Sequence, residues 1–236
     1  MLPEEKTTPV FELSNYNWLI YGQPKIGKST FVSQFDDVLF VPTEPGLGAL
    51  SVFKACEDSH ITRWTEFIEI CKEIEAASIA KKLKFKILAI DTIDNLYQMC
   101  LDYVCAREKM AHPSDGSFGK GWSLVTNEFK GAILRLSKSI KIAFISHDGE
   151  AEMVIQKIKV MRKQPSIAGG AKGEFITGLV DIITYISNDP DDNSKRVAYF
   201  RGHDGLVAGD RTNKMLNVMP FSYEDIKEQF SLITKK

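Results

Sequence analysis

A chain of 236 residues, 44% of them hydrophobic and 26% charged, has the composition of an ordinary globular protein and suits one sizeable core better than two small ones. Its net charge of −1 excludes a global attraction for polyanions, so any nucleic-acid site must be a local patch. No run approaches the roughly 18 apolar residues that span a bilayer, and the opening M-L-P-E-E-K lacks a basic segment leading into an apolar core, so an intracellular, cytoplasmic protein without a membrane partner is expected.

The first element is the most informative. Trp18 to Ser29 read W-L-I-Y-G-Q-P-K-I-G-K-S, an apolar strand running into G-x-x-x-x-G-K-S. Gly22, Gln23, Pro24, Lys25, Ile26 and Gly27 would form a loop whose backbone N–H groups cradle phosphates. Lys28 would reach the β and γ oxygens, Ser29 would ligate Mg²⁺, and the helix opening near Lys28 would continue through Thr30 to Phe35. The expected ligands are therefore a nucleoside triphosphate and Mg²⁺.

A short strand, Val38 to Val41, is followed by Glu44-Pro45-Gly46, and Trp64, Phe67, Ile68, Cys71 and Ile74 then recur at helical spacing. Phe85 to Asp91 is a strand ending in a carboxylate. Leu96 to Met110 looks helical, Ala111 to Gly121 is polar and glycine-containing, and Trp122 to Ser137 is helical again. The strand Ile142 to His147 leads into a basic stretch, Asp148 to Glu174, and Val180 to Ile186 and Val197 to Arg201 read as further strands. Strands alternating with helices imply an α/β fold with a mostly parallel sheet and helices on both faces. We expect a single domain: residues 1–16 as an N-terminal extension, 17–220 as core, and 221–236 as a C-terminal helix or tail.

Ligands of such sheets bind beyond the carboxyl ends of the strands, which gathers Glu44, Asp91 and His147 beside the phosphate loop. Asp91 suits a Walker B carboxylate that orders Mg²⁺; the alternative is a cap on the following helix, a role open to Asp94 as well. Glu44 reads either as the general base for an attacking water or as a solvated loop acid, and His147 as a γ-phosphate sensor or a structural histidine. Cys56, Cys71, Cys100 and Cys105 form no C-x-x-C pair, and the four histidines are scattered, so a metal centre of protein side chains alone is not expected.

The order L-I-Y-G-Q-P-K-I-G-K-S, L-F-V-P-T-E-P-G, I-L-A-I-D-T and I-A-F-I-S-H resembles a RecA-like P-loop ATPase core. More narrowly it is similar to the core-only phage RecA-like ATPases, which include the Sak-type ATP-dependent single-strand annealing proteins. The resemblance implies an ATPase stimulated by single-stranded DNA, with Glu44 activating water, working in host cytoplasm as a ring or filament of identical subunits. A single-strand-binding protein is a candidate partner, and annealing or loading in phage recombination, or replication, is the implied role. Where RecA-type recombinases commonly carry glutamine, this chain has His147.

Two stretches fall where such proteins carry DNA-facing loops. His112 to Trp122 offers Phe118, Lys120 and Trp122, and the stretch after His147 offers Lys157, Lys159, Arg162, Lys163 and Lys172 beside Gly169-Gly170. Val154, Ile158 and Val160 partly alternate with the lysines, which also fits a solvated β-hairpin, and Trp122 also fits helix packing. Arg211 lies where the family places a finger that reaches the neighbouring subunit's γ-phosphate; a surface turn is the alternative, and Arg201 and Lys214 compete for the role. Two other functions fit the same residues. One is a nucleotide-gated assembly module with negligible hydrolysis, the other an ATP-driven loader acting on a protein partner.

Overall fold

The computed structural model describes residues 5–116 and 119–232. In chain order the elements are β1 (Trp18–Gly22), α1 (Lys28–Val32), β2 (Val38–Pro42), β3 (Phe53–Lys54), α2 (Trp64–Ile79), β4 (Ile87–Asp91), α3 (Ile93–Arg107) and α4 (Lys120–Leu136). They continue as β5 (Lys141–Ile155), β6 (Ile158–Pro165), α5 (Gly170–Leu179), β7 (Ile182–Asn188), β8 (Arg196–Tyr199), β9 (Gly209–Asp210), β10 (Val218–Pro220) and α6 (Tyr223–Ser231). The sheet runs β10-β8-β7-β1-β5-β4-β2-β3, with β6 paired to β5 and β9 to β7. From β7 to β3 the neighbours are parallel, whereas β8, β10, β9 and β6 are antiparallel additions. The fold is thus α/β with a mostly parallel mixed sheet.

The central strands are apolar throughout because both of their faces are covered. On one face Leu19, Leu88, Ile90, Ile142 and Phe144 pack with α2, α3 and α4 through Trp64, Phe67, Leu96 and Phe129. On the other, Trp18, Ile20, Phe40, Ala89 and Ile145 pack with Phe31 of α1 and with Ile226 and Phe230 of α6. Residues read as peripheral join this second layer. Leu13 is buried in it and accepts a hydrogen bond from Trp18 Nε1 at 2.8 Å, while Phe11 and Tyr16 meet Phe230 edge to face.

Helix α5 and the short strands β3, β9 and β10 have no counterpart among the elements expected from the sequence, and two expected elements have other limits. Helix α1 stops at Val32, short of Phe35, since Ser33 Oγ and Gln34 Nε2 both donate to Thr30 O and Asp37 takes a left-handed φ of 52°. Strand β5 does not end at His147. It runs to Ile155, turns through Gln156 and Lys157, both at positive φ, and returns as β6, so much of the basic stretch is a hairpin with a primed turn.

Candidate nucleotide site

The phosphate loop is built where β1 leaves the sheet between β5 and β7. Gly22 approaches β7 so closely that a Cβ there would lie 2.4 Å from Ile186 O, which excludes any larger residue. Gly27 caps α1 at φ 103°, in left-handed space, and Lys25 also has positive φ. Left-handed residues of this kind between right-handed ones build the backbone concavities that bind anions through successive N–H groups. Ile26 contributes main chain only, because its side chain is buried in the core.

Lys28 is 6% exposed, and its Nζ donates to Gly22 O at 2.7 Å and Gln23 O at 2.9 Å, folding the ammonium across the loop. Burial pushes its pKa down, opposed by the carboxylates of Asp91, Asp148, Glu44 and Asp94. Ser29 Oγ donates to Asp91 Oδ2 at 2.6 Å. Burial raises the Asp91 carboxyl above the ordinary range; the Ser29 hydrogen bond works against this and Glu44 adds to it. The strand end is held by Thr43, whose hydroxyl accepts from Thr92 N at 2.7 Å and donates to Thr92 O at 2.9 Å.

Glu44 stands across the cavity. Asn95 Nδ2 donates to its Oε2 at 2.9 Å, and His147 Nε2 lies 3.8 Å from its Oε1. The other ring nitrogen of His147 is 3.6 Å from Asp94 Oδ2. Asp94 makes no N-terminal cap for α3. It accepts from Ser146 Oγ and His147 N, both at 2.9 Å, and so binds α3 to the end of β5. Asp94 and Asn95 had no motif to mark them as partners of His147 and Glu44, and neither had Thr43 as the anchor of Thr92. Their one sequence signal is position, Thr43 directly after β2 and Asp94 and Asn95 in the first turn of the helix that follows β4.

Together these groups line a cavity of about 630 Å³ with Gly27, Lys28, Ser29, Thr30, Glu44, Asp91 and His147 on its walls. A triphosphate with Mg²⁺ suits this donor set. Ser29 and Asp91 present adjacent hard oxygens, Lys28 an ammonium, and the buried Thr92 Oγ1 on the wall has no partner among the described residues. Bound Mg²⁺ would neutralise phosphate charge. Among the described residues no three His, Cys, Asp or Glu side chains converge on a metal centre, so its remaining ligands would be nucleotide and water oxygens.

The fold and this site define a P-loop ATPase domain. The family described as AAA domain matches residues 14–212, more than half of the chain, and the protein belongs to that family. No curated protein matches the sequence.

The remaining predicted residues lie elsewhere. Arg211 is not part of this chain's phosphate site: its Nη1 is 3.2 Å from Asp181 Oδ1 and its Nη2 donates to Gly178 O at 3.1 Å, at the entry to β7, whereas Gly22 lies level with Ile186 near the exit. Lys214 sits over the Phe11 ring at 4.2 Å, and Arg201 is exposed after β8. Phe118 falls outside the described residues, and Lys120 is exposed at the start of α4.

The five basic residues after His147 do not form one loop. Lys157, Lys159, Arg162 and Lys163 are on the hairpin, where Lys159 pairs with Glu152 at 2.9 Å and Lys163 with Glu150 at 2.7 Å. From Asp148 to Pro165 four bases face three acids, so the patch is nearly compensated. Lys172 is on α5 instead, its Nζ 4.2 Å from the centre of the Tyr97 ring. It borders a second cleft, of about 590 Å³, with Tyr97, Trp122, Asn127, Lys130 and Gly169. Trp122, 40% exposed and edge-on to His112, thus meets Lys172 across a groove that joins the two stretches.

Among the described residues no helix is long and apolar enough to cross a membrane.

Proposed function

We infer that this P-loop ATPase hydrolyses ATP with Mg²⁺, grips single-stranded DNA, and serves phage recombination by annealing or loading, or replication, in the manner of the RecA-like annealing proteins. The observation that carries the hydrolytic part is Glu44, oriented by Asn95 and His147 across a cavity from the Ser29–Asp91 pair. A carboxylate so held accepts a hydrogen bond from water and draws off its proton as the oxygen attacks phosphorus. Lys28 meets the charge that spreads over the phosphoryl oxygens.

The DNA part is supported by the second cleft. An exposed indole offers a base a stacking face, and Lys130 and Lys172 offer phosphates a charge. Asp94 connects the two sites, since it brackets His147 on one side and shares a smaller cavity with Tyr97, Trp122 and Lys172 on the other. The test is ATP hydrolysis with and without single-stranded oligonucleotide: stimulation by the oligonucleotide is expected, and turnover indifferent to it removes the DNA reading.

One observation favours a loader acting on a protein partner. The hairpin exposes Val154, Ile158 and Met161 beside its compensated charges, a surface better suited to protein than to a phosphate backbone. The same assay separates the two, because such a loader hydrolyses ATP without responding to DNA.

A further inference from the structure

The sheet order gives the nucleotide a direction. His147, Asp91 and Glu44 follow β5, β4 and β2, all on one side of β1, whereas β7 and β8 lie on the other. A triphosphate whose terminal phosphate faces Glu44 therefore points its nucleoside toward β7 and β8. On that side stands Arg196, the first residue of β8, paired in register with Asn188 at the end of β7.

Its guanidinium lies against the phosphate loop: a Cβ on Gly27 would be 2.8 Å from Arg196 Nη1 and 3.7 Å from Phe221 Cε1. Phe221 is tied to Arg196 by its N–H, which donates to Arg196 O at 2.8 Å, and its ring packs on Phe31 of α1 with centroids 4.9 Å apart. The Arg196 side chain is exposed and has no hydrogen bond, ion pair or ring contact among the described residues. A planar cation held at the edge of an anion-binding loop, with no partner of its own, has unspent capacity for a ligand. An aromatic ring beside it widens the apolar ledge.

We propose that Arg196, braced by Phe221, forms a shelf for the nucleobase of the bound nucleotide, and that this side of Gly27 is the nucleoside subsite. The inference rests on the nucleotide-binding reading of the loop. Stacking on a guanidinium plane is tolerant of base identity, so the shelf adds affinity for any nucleoside triphosphate over bare polyphosphate and does not itself choose adenine.

The experiment measures binding of ATP and of inorganic tripolyphosphate, each with Mg²⁺, to the parent, Arg196→Ala, Arg196→Lys and Phe221→Leu. Arg196→Ala should lose about tenfold in ATP affinity and leave tripolyphosphate affinity unchanged. Arg196→Lys should recover only part of the loss, because it restores charge without the plane, and Phe221→Leu should show a smaller loss confined to ATP. Thermal melts without ligand should coincide for the parent and Arg196→Ala. Equal losses for both ligands would make Arg196 a phosphate contact, and no loss for either would make it a surface residue; each result overturns the shelf while leaving the loop intact. A parent protein that binds neither ligand overturns the nucleotide reading itself.

Discussion

At the scale of single residues, the site concentrates groups that the ligand-free fold holds at some cost. Asp91 and Asp94 are carboxyls whose pKa burial raises, and Lys28 is an ammonium whose pKa burial lowers. A carboxyl with a raised pKa binds its proton more tightly folded than unfolded, so the stability it lends is present in acid and lost as pH climbs through the raised value. Asp91→Asn should therefore raise the melting temperature of the ligand-free protein at pH 7 by a few degrees, roughly what 1 kcal/mol yields in a domain of this size. The gain should vanish below about pH 4, where the parent carboxyl is protonated in both states. The stabilisation conferred by ATP and Mg²⁺ should shrink in the same variant. A pH series of thermal melts checks all three signs. Glu44 is a different case: Glu44→Gln keeps the Asn95 hydrogen bond and loses the basic oxygen, so ATP should still bind while single-turnover hydrolysis falls at least about tenfold, or 1.4 kcal/mol in barrier. A smaller loss returns Glu44 to the status of a loop acid. Lys28→Ala should cost at least about tenfold in ATP affinity, read by titration calorimetry on a variant whose circular dichroism matches the parent's.

At the scale of elements, the two DNA-facing candidates separate. Lysines already paired with Glu150 and Glu152 release few counterions on meeting a phosphate, whereas Lys130 and Lys172 lie over the rings of Phe175 and Tyr97, away from those carboxylates. Lys130→Ala with Lys172→Ala should lower the log–log salt slope of single-stranded DNA binding by about 1.4, at roughly 0.7 per lost contact. Replacing Lys157, Lys159, Arg162 and Lys163 together should move it less. Filter binding across a salt series decides, and the opposite ranking would assign the DNA to the hairpin. The start of the sheet offers a structural counterpart. Asn17 Oδ1 accepts from Ile142 N at 2.9 Å, and Asn17 O accepts from Asp181 N and Ile182 N, joining β1 to β5 and β7. Asn17→Ala leaves the buried Ile142 N–H without its partner and should cost about 1–3 kcal/mol in urea unfolding, with ATP affinity spared because the phosphate loop is at the other end of β1.

At the scale of the whole molecule, the proposed role requires assembly. Mass photometry should show multimers with ATP and single-stranded DNA together, and fewer with Lys28→Ala; a protein that stays monomeric with both ligands is no filament or ring. The architecture also explains what could be read in advance. The phosphate loop was legible because its chemistry is local: Gly22, Gly27, Lys28 and Ser29 are consecutive or nearly so, and their backbone geometry needs glycine at set positions. The strands were legible because a sheet covered on both faces must be apolar along its length, and Glu44, Asp91 and His147 each follow such a run. Sequence alone did not show that Asp94 bridges to Ser146 and His147, that Trp122 and Lys172 share a groove, that Lys163 spends its charge on Glu150, or that Arg196 lies beside Gly27. Each of these joins residues of different elements, and what brings them together is the pairing of β4 with β5, the packing of α4 on α5, the return of β6 along β5 and the placement of β7 and β8 beside β1. Local pattern therefore determined the central strands, the helices that cover them and the phosphate-loop chemistry. The order in which the strands pair, set by burial of both sheet faces over the entire chain, decided which side chains face one another across the site.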